Sequence, residues 1–269
     1  MQETGETAMA EYIEGKRPVI EALRSGTPIK RVLIADGIKR DGLVNDIMRK
    51  AKNRSIPVSM VPRKELEKRS ARGSHQGVMA EAQPFAYASL QDVVNAAEAD
   101  AKERGGSALV VLLDHITDAG NLGAIARSAE VVGASGIVIP NKRSAHVTAA
   151  TYKSSAGAII NLKIAQVANL GQAIDRLKEA GFWIAGASEH AEESIWNSNL
   201  KGKMGLVMGN EGEGLARLTR EKCDFLMALP QVGTTQSLNV AQASTAVMYE
   251  WLRQNWEVAA PGKVSDAGR

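Results

Sequence analysis

Cysteine is almost missing from this chain. Cys223 is the only one in 269 residues, so no intrachain disulfide can form and a reducing compartment is the natural setting. Aromatic residues make up 4% of the sequence, which leaves the core to Val, Ile, Leu, Ala and Met. No apolar run approaches the roughly 18 residues that a membrane span needs. Residues 1–10 are polar and acidic, lack the basic and apolar regions of a secretory signal, and are expected to form a disordered leader. These absences lead to the expectation of a cytoplasmic protein with no membrane partner. The four histidines, His75, His115, His146 and His190, lie far apart and share no metal-ligand spacing with Cys223, so no metal is expected either.

What is present is the balance of a globular protein: 44% hydrophobic and 23% charged residues, enough for one large domain or two of ordinary size. The net charge of +3 conceals an asymmetry. From Glu11 to His75 there are sixteen Lys or Arg against eight Asp or Glu, a balance of +8; from Gln76 onward there are seventeen against twenty, a balance of −3. A basic module beside a neutral-to-acidic one points to a polyanion as partner of the first. The densest stretch, Arg63 to Arg72, has five cations in ten residues and also reads as a solvated helix face with Glu–Lys pairing.

Hydrophobic patterning divides the chain in the same place. Residues 11–83 read as a small α/β domain, with helices at Pro18–Arg24 and Leu43–Asn53 and strands at Arg31–Ala35, Pro57–Val61 and His75–Ala80. Residues 84–106 are rich in Ala and charge and read as a connector able to hold a helix. In residues 107–257, apolar runs recur at Ala108–Leu113, Gly136–Pro140, Phe182–Ala187, Gly205–Met208 and Phe225–Leu229, as suits the strands of a parallel sheet buried on both faces. A helix is expected over Leu170–Ala180, stopping at Gly181. The last, Asn239–Asn255, is apolar on more than one side and belongs in the core or in a subunit interface. Residues 258–269 are expected to be a disordered tail.

Three segments at strand ends carry the candidate chemistry, and strand ends are where ligands bind in α/β sheets. In Asp114–Ala129 a polar loop follows a strand, Asn121 is placed to cap a helix, and Arg127 lies nearly two turns in. A capped helix with a surface arginine fits the same residues. In Met208–Leu215 three glycines in six residues let the backbone approach a ligand closely. Two glutamates exclude a phosphate loop and suit a cationic or amine-bearing ligand, although a plain turn cluster also fits. In Leu229–Ala241 a polar loop leads through Ser237 and Asn239 into the final helix, where Ser or Asn is commonly only a cap.

Together, in this order and spacing, the segments Asn121–Ala129, Met208–Leu215 and Ser237–Ala241 resemble the SpoU/TrmH-type 2′-O-ribose methyltransferases of the SPOUT superfamily. The resemblance runs from about Glu11 to Trp256; Tyr12–Gly15 and His75–Gly77 look like that family's amino-terminal substrate-binding domain. The arrangement is most similar to the bacterial 23S rRNA guanosine 2′-O-methyltransferases, with one departure at Ile160, where some relatives carry a glutamate. It implies an α/β fold in which a small RNA-binding domain precedes a parallel-sheet domain threaded into a trefoil knot. It further implies S-adenosylmethionine as cofactor, RNA (23S rRNA) as substrate and a homodimer that completes the site. By resemblance Arg127, Asn121, Glu211, Ser237 and Asn239 are the catalytic set. Gly209, Leu229 and Leu238, with Asn210 and Met208, are the cofactor-binding set. A tRNA ribose methyltransferase and a non-catalytic RNA-binding protein on the same fold are the alternative readings.

Overall fold

The computed structural model describes residues 12–70, 73–234 and 237–259. The expected leader lies outside the described residues. So does the expected tail, apart from its first two residues, which continue the last helix. No helix among the described residues is long and apolar enough to cross a membrane. The chain divides into two compact units.

The first unit begins with β1 (Tyr12–Glu14), α1 (Lys16–Arg24), β2 (Ile29–Ala35), α2 (Gly42–Asn53), β3 (Val58–Val61), α3 (Arg63–Arg69) and β4 (Val78–Ala82). Its four strands are ordered β1-β4-β2-β3, with β2 and β3 parallel and both β1 and β2 antiparallel to β4. Both helices that flank β2 are amphipathic: Val19, Ile20 and Leu23 of α1 and Val44, Ile47 and Ala51 of α2 pack on Val32, Ile34 and Ala80. Asp41 starts α2 by accepting from the Val44 N–H at 2.9 Å, and Lys16 holds the same carboxylate at 2.6 Å. Leu66 of α3 meets Leu33, Ala35, Val61 and Met79 in a separate cluster. The three-residue β1 escapes the pattern read from sequence, whereas α3 is the solvated helix face read there, burying only Leu66 and pairing Arg63 with Glu67 and Arg69 with Glu65.

The second unit contains α4 (Leu90–Glu103), β5 (Ala108–Leu113), α5 (Ala119–Val131), β6 (Gly136–Pro140), β7 (Ile164–Val167), α7 (Leu170–Glu179), β8 (Trp183–Ala187), β9 (Lys203–Met208), α8 (Arg217–Lys222), β10 (Phe225–Met227) and α9 (Val240–Ala259). Between β6 and β7, the segment Val147–Gly157, with α6 (Ala149–Ser154), groups with the first unit, where Ala149 packs against its core. The six strands are ordered β10-β8-β9-β5-β6-β7, every neighbouring pair parallel. All of β5 is buried, as a central strand covered on both faces must be.

One stretch refines the sequence reading and another differs from it. The expected connector holds α4, which starts with a Ser89–Asp92 capping box and buries Val93, Val94, Ala97 and Ala101 in the core of the second unit. Its Ala and charged residues mask an apolar stripe at helical spacing. The strand β7 was not anticipated, because four residues with Gln166 among them carry little apolar signal.

The apolar content of α9 is largely spent inside its own unit, where Val247, Met248 and Trp251 are buried, while Tyr249 is exposed. Near its end, buried Asn255 satisfies both halves of its amide. Its Oδ1 accepts from Ser107 Oγ and the Gly202 N–H, both at 2.9 Å, and its Nδ2 donates to the carbonyls of Leu200 (3.0 Å) and Trp251 (2.7 Å). A buried backbone N–H left without its partner costs about 1–3 kcal/mol. Asn255→Leu is therefore expected to destabilise the protein by about 2–4 kcal/mol, read as a lower denaturant midpoint at unchanged m-value. A midpoint equal to wild type would show that the amide network contributes nothing net.

Candidate active site

The strands β5, β8, β9 and β10 run parallel, so their carboxyl ends share one edge of the sheet, where loops converge. After β5 comes Asp114, 1% exposed, whose Oδ2 accepts from the Ala216 N–H at 2.7 Å and whose Oδ1 lies 2.6 Å from Nδ1 of His115. His115 takes a left-handed backbone (φ 59°), and its carbonyl accepts from Nδ2 of Asn210 at 2.9 Å. A buried carboxylate thus ties the first loop to the segment that follows the glycines.

The helix α5 is capped by Asp118, which accepts from the Asn121 N–H at 2.7 Å, and not by Asn121 as expected. The helix begins at Ala119, so Asn121 sits within the first turn and its side chain is released for another contact. Arg127 is exposed on α5, and its guanidinium has no hydrogen-bond or ion-pair partner among the described residues.

Beyond β9 the chain turns back on itself. Asn210 and Gly214 exchange backbone hydrogen bonds at 3.0 and 2.9 Å, closing a tight turn over Glu211, Gly212 and Glu213. Gly209 is required by close approach: a Cβ there would stand 2.3 Å from the carbonyl carbon of Gly214. The turn aims Glu211 at the other two segments. Its Oε1 accepts from Nδ2 of Asn121 (2.8 Å), Nδ2 of Asn239 (2.5 Å) and, at 3.4 Å, the Val240 N–H. Asn239 also donates to Oδ1 of Asn121 at 3.1 Å and caps α9 through its own Oδ1, which accepts from the Ala241 N–H at 2.9 Å. The expected cap is therefore present, and the other half of the same amide joins the junction.

A cavity of about 200 Å³ opens beside this junction. Met208, Gly209, Asn210 and Glu211 from the glycine loop line it, with Leu229, Ser237 and Leu238 from the last loop. Asn121 and Asn239 reach it through Glu211, whereas Arg127 lies away from the lining. Ile195, Met227 and Val247 give it an apolar wall. Sequence reasoning gave no role to Asp114 and missed the segment Ser188–His190 that follows β8 and Arg220 of α8, the one Lys or Arg of the lining among the described residues. The strand-end rule that singled out the other loops would have found Ser188–His190; Arg220 gives no such signal.

Cys223 offers no nucleophile: burial pushes its thiol up to about 12, so it stays un-ionised. Among the described residues, no group of three or more His, Cys, Asp or Glu is placed to hold a metal ion.

Comparison with known proteins agrees with this geometry. Residues 108–249 match the profile of the SpoU rRNA methylase family, and residues 12–88 match that of the RNA 2′-O ribose methyltransferase substrate-binding domain. A TrmH-family tRNA/rRNA methyltransferase of Bacillus subtilis is 38% identical over 91% of this chain and 96% of its own length. Among solved structures, the SpoU methyltransferase AviRb of Streptomyces viridochromogenes, in complex with the cofactor AdoMet, superposes with a TM-score of 0.64 at 25% identity, covering 92% of this chain and 91% of that one. An AdoMet-bound rRNA methyltransferase from Sinorhizobium meliloti gives a TM-score of 0.61 at 26% identity over 90% and 86% of the two chains.

The two glycines of the loop make a paired prediction. Gly209→Ala forces the turn open and is expected to cost about 1–3 kcal/mol of stability, the range of an overpacked site, and to abolish S-adenosylmethionine binding in calorimetry. Gly212→Ala meets nothing nearer than Asn210 Oδ1 at 3.5 Å, needs no left-handed backbone, and is expected to keep both. Equal affinity for the cofactor in the two variants would remove the close approach at Gly209 from the account.

Proposed function

The chain belongs to the SpoU family of RNA methylases, and within that family we propose that it methylates a ribose 2′-hydroxyl of ribosomal RNA, at a guanosine of the 23S molecule. S-adenosylmethionine is its cofactor and supplies the methyl group on a sulfonium. The observation that carries the proposal is the Glu211 junction, which gathers all three motif segments at the rim of one cavity. The cavity suits that cofactor: apolar residues form one wall, Gly209 leaves backbone exposed, and Glu189, Glu211 and Glu213 set negative charge beside an ammonium and a sulfonium. Gly209, Leu229 and Leu238, with Met208 and Asn210, form the proposed cofactor-binding set.

Methyl transfer to a ribose hydroxyl is a displacement by a weak nucleophile, so alignment supplies much of the rate and loss of the hydroxyl proton supplies more. Asn121, Asn239 and Glu211 hold the rim rigid, and Ser237 stands on the lining beside them. We assign Arg127 to the target nucleotide, where a planar guanidinium grips a phosphate and stabilises charge developing on the 2′-oxygen. An arginine is a poor proton acceptor, which favours this electrostatic role over that of a base.

Arg127 does not line the cavity of its own chain, a placement that supports a site completed across a homodimer. The trefoil knot belongs to the same reading. The helices α5 and α9 pack together through a 2.7 Å Ser128–Thr245 contact and leave Val131 and Tyr249 exposed, apolar surface suited to a second copy. The Cys223 thiol, un-ionised and alone, fits a cytoplasmic setting.

For target identity, the neighbour described as an rRNA methyltransferase matches along both units of this chain, which favours rRNA over tRNA. Ribose-methylation mapping of total RNA with and without the gene is expected to show one guanosine of 23S rRNA that loses its mark. Loss of a tRNA mark instead would replace the target while leaving the chemistry intact. Arg127→Ala is expected to lower methyl transfer about 100-fold or more, the scale of one transition-state contact, with cofactor affinity barely changed. Arg127→Lys should rescue poorly, since an ammonium lacks the planar fork. Near-normal turnover of Arg127→Ala at saturating RNA would reduce this residue to a docking role. In light scattering, the protein is expected at twice its chain mass of 28.7 kDa; a monomer at micromolar concentration would remove the shared site.

A further inference from the structure

The basic unit has a balance of +8 from Glu11 to His75, but several of its cations are held in internal ion pairs, so the balance alone does not say which surface meets RNA. In its sheet β1, β2 and β3 run one way and β4 runs against them. The carboxyl ends of β1, β2 and β3 and the start of β4 therefore share one edge. The segments leaving that edge are held together: the Asp36 N–H donates to the Val61 carbonyl at 2.8 Å, and Lys16 reaches Asp41 at 2.6 Å. Ser70 Oγ meets Glu14 Oε2 at 2.5 Å, so the chain that leaves β3 returns from α3 to the end of β1. Gly15 (φ 98°), Gln76 (φ 49°) and Gly77 (φ 78°) turn the backbone sharply at the same edge.

Pairing separates the cations into two groups. Arg24, Arg49 and Lys50 gather around Asp46 at 3.7, 2.6 and 3.8 Å, and Lys30 and Arg31 hold buried Glu81 at 3.2 and 2.6 Å. On α3, Arg63 faces Glu67 and Arg69 faces Glu65. Arg54 spends its guanidinium on the carbonyls of Ala22, Leu23, Gly26 and Thr27. Arg17, Lys39, Arg40, Lys52, Lys64 and Lys68 remain exposed, with no side-chain partner among the described residues. All but Lys52 stand on the segments that leave the shared edge: Arg17 in the first turn of α1, Lys39 and Arg40 between β2 and α2, Lys64 and Lys68 one turn apart on α3. Asp36 and Glu67 are exposed carboxylates on the same segments, Glu67 facing Arg63.

We propose that this edge, through Arg17, Lys39, Arg40 and Lys64, is the phosphate-gripping face of the protein for its RNA substrate. The proposal rests on the reading of this unit as the RNA-binding part. Unpaired cations displace counterions from a sugar-phosphate backbone without first breaking an internal pair, and each such contact steepens the salt dependence of binding. The exposed amide of Gln76 adds a polar group that can reach a base edge or a 2′-hydroxyl.

The test uses the full-length protein and a labelled 23S rRNA transcript titrated between about 50 and 300 mM potassium chloride. The edge variant carries Arg17→Ala, Lys39→Ala, Arg40→Ala and Lys64→Ala. The control carries Arg24→Ala, Lys30→Ala, Arg49→Ala and Lys52→Ala, and loses the same net charge. The edge variant is expected to bind about 30-fold more weakly or worse, with a log–log salt slope shallower by about 3; the control stays within about 3-fold. Both should bind S-adenosylmethionine like wild type. If the edge variant melts early, the pairs Arg17→Ala/Lys64→Ala and Lys39→Ala/Arg40→Ala are each expected to give about half the slope change. Equal losses in edge variant and control overturn the proposal. Ultraviolet cross-linking of wild type separates the two levels. Cross-links within residues 12–88 but with an unchanged edge-variant slope sink this face and leave the RNA-binding unit standing. Absence of cross-links from 12–88 sinks both.

Discussion

One carboxylate organises the active region of this protein. Glu211 accepts hydrogen bonds from Asn121 in the first turn of α5, from Asn239 at the head of α9, and from the backbone N–H of Val240. These groups lie far apart in the chain and meet because β5 and β9 are neighbours whose carboxyl ends share an edge. The carboxylate reaches them only because the chain reverses so tightly after β9 that Gly209 lies against the backbone of Gly214. A buried Asp114 secures the same loop from behind through the Ala216 N–H, and Asn210 adds a hydrogen bond to the His115 carbonyl. The glycine loop that borders the cavity is thus anchored at several points, which is the condition for a preorganised site.

The two units divide the electrostatic work. The second surrounds its cavity with Glu189, Glu211 and Glu213, an environment that favours a cation and repels a polyanion. The first carries the positive excess, and its internal pairs sort that excess by position. Asp46 and Glu81 engage five cations between them, and the unpaired ones other than Lys52 stand on segments that leave one edge of the sheet. Net charge measures neither effect, since it averages a basic and an acidic surface to +3.

The legible parts of the fold were those with strong periodicity. The runs around β5, β6, β8 and β9 read as strands because a doubly covered parallel sheet needs apolar side chains on both faces. Leu170 to Gly181 read as a helix with its stop because α7 buries one stripe and ends before a glycine at φ 81°. The parts read faintly or not at all had weak local signals. The helix α4 hid its buried stripe of Val93, Val94, Ala97 and Ala101 among small and charged residues, and β7 offered four residues with a glutamine among them. In the site, Glu211, Asn121 and Asn239 came from the family resemblance of their segments, while local preference named the wrong cap for α5, which is Asp118.

By itself, the sequence determined where most of the strand ends fall, which polar segments follow them, and that the charge is divided between two parts of the chain. Those are properties of residue type and short-range order, set by propensity and periodicity. The tertiary structure decided which of those residues meet. The convergence of Asn121, Glu211 and Asn239 follows from strand order, the pairing of Arg24 with Asp46 from how α1 and α2 pack, and that of Lys30 and Arg31 with Glu81 from how β2 lies against β4. The same is true of Val147–Gly157, which belongs to the first unit although it falls within the second unit's stretch of chain. Contacts between residues distant in the chain depend on strand order and packing, and no local pattern encodes either.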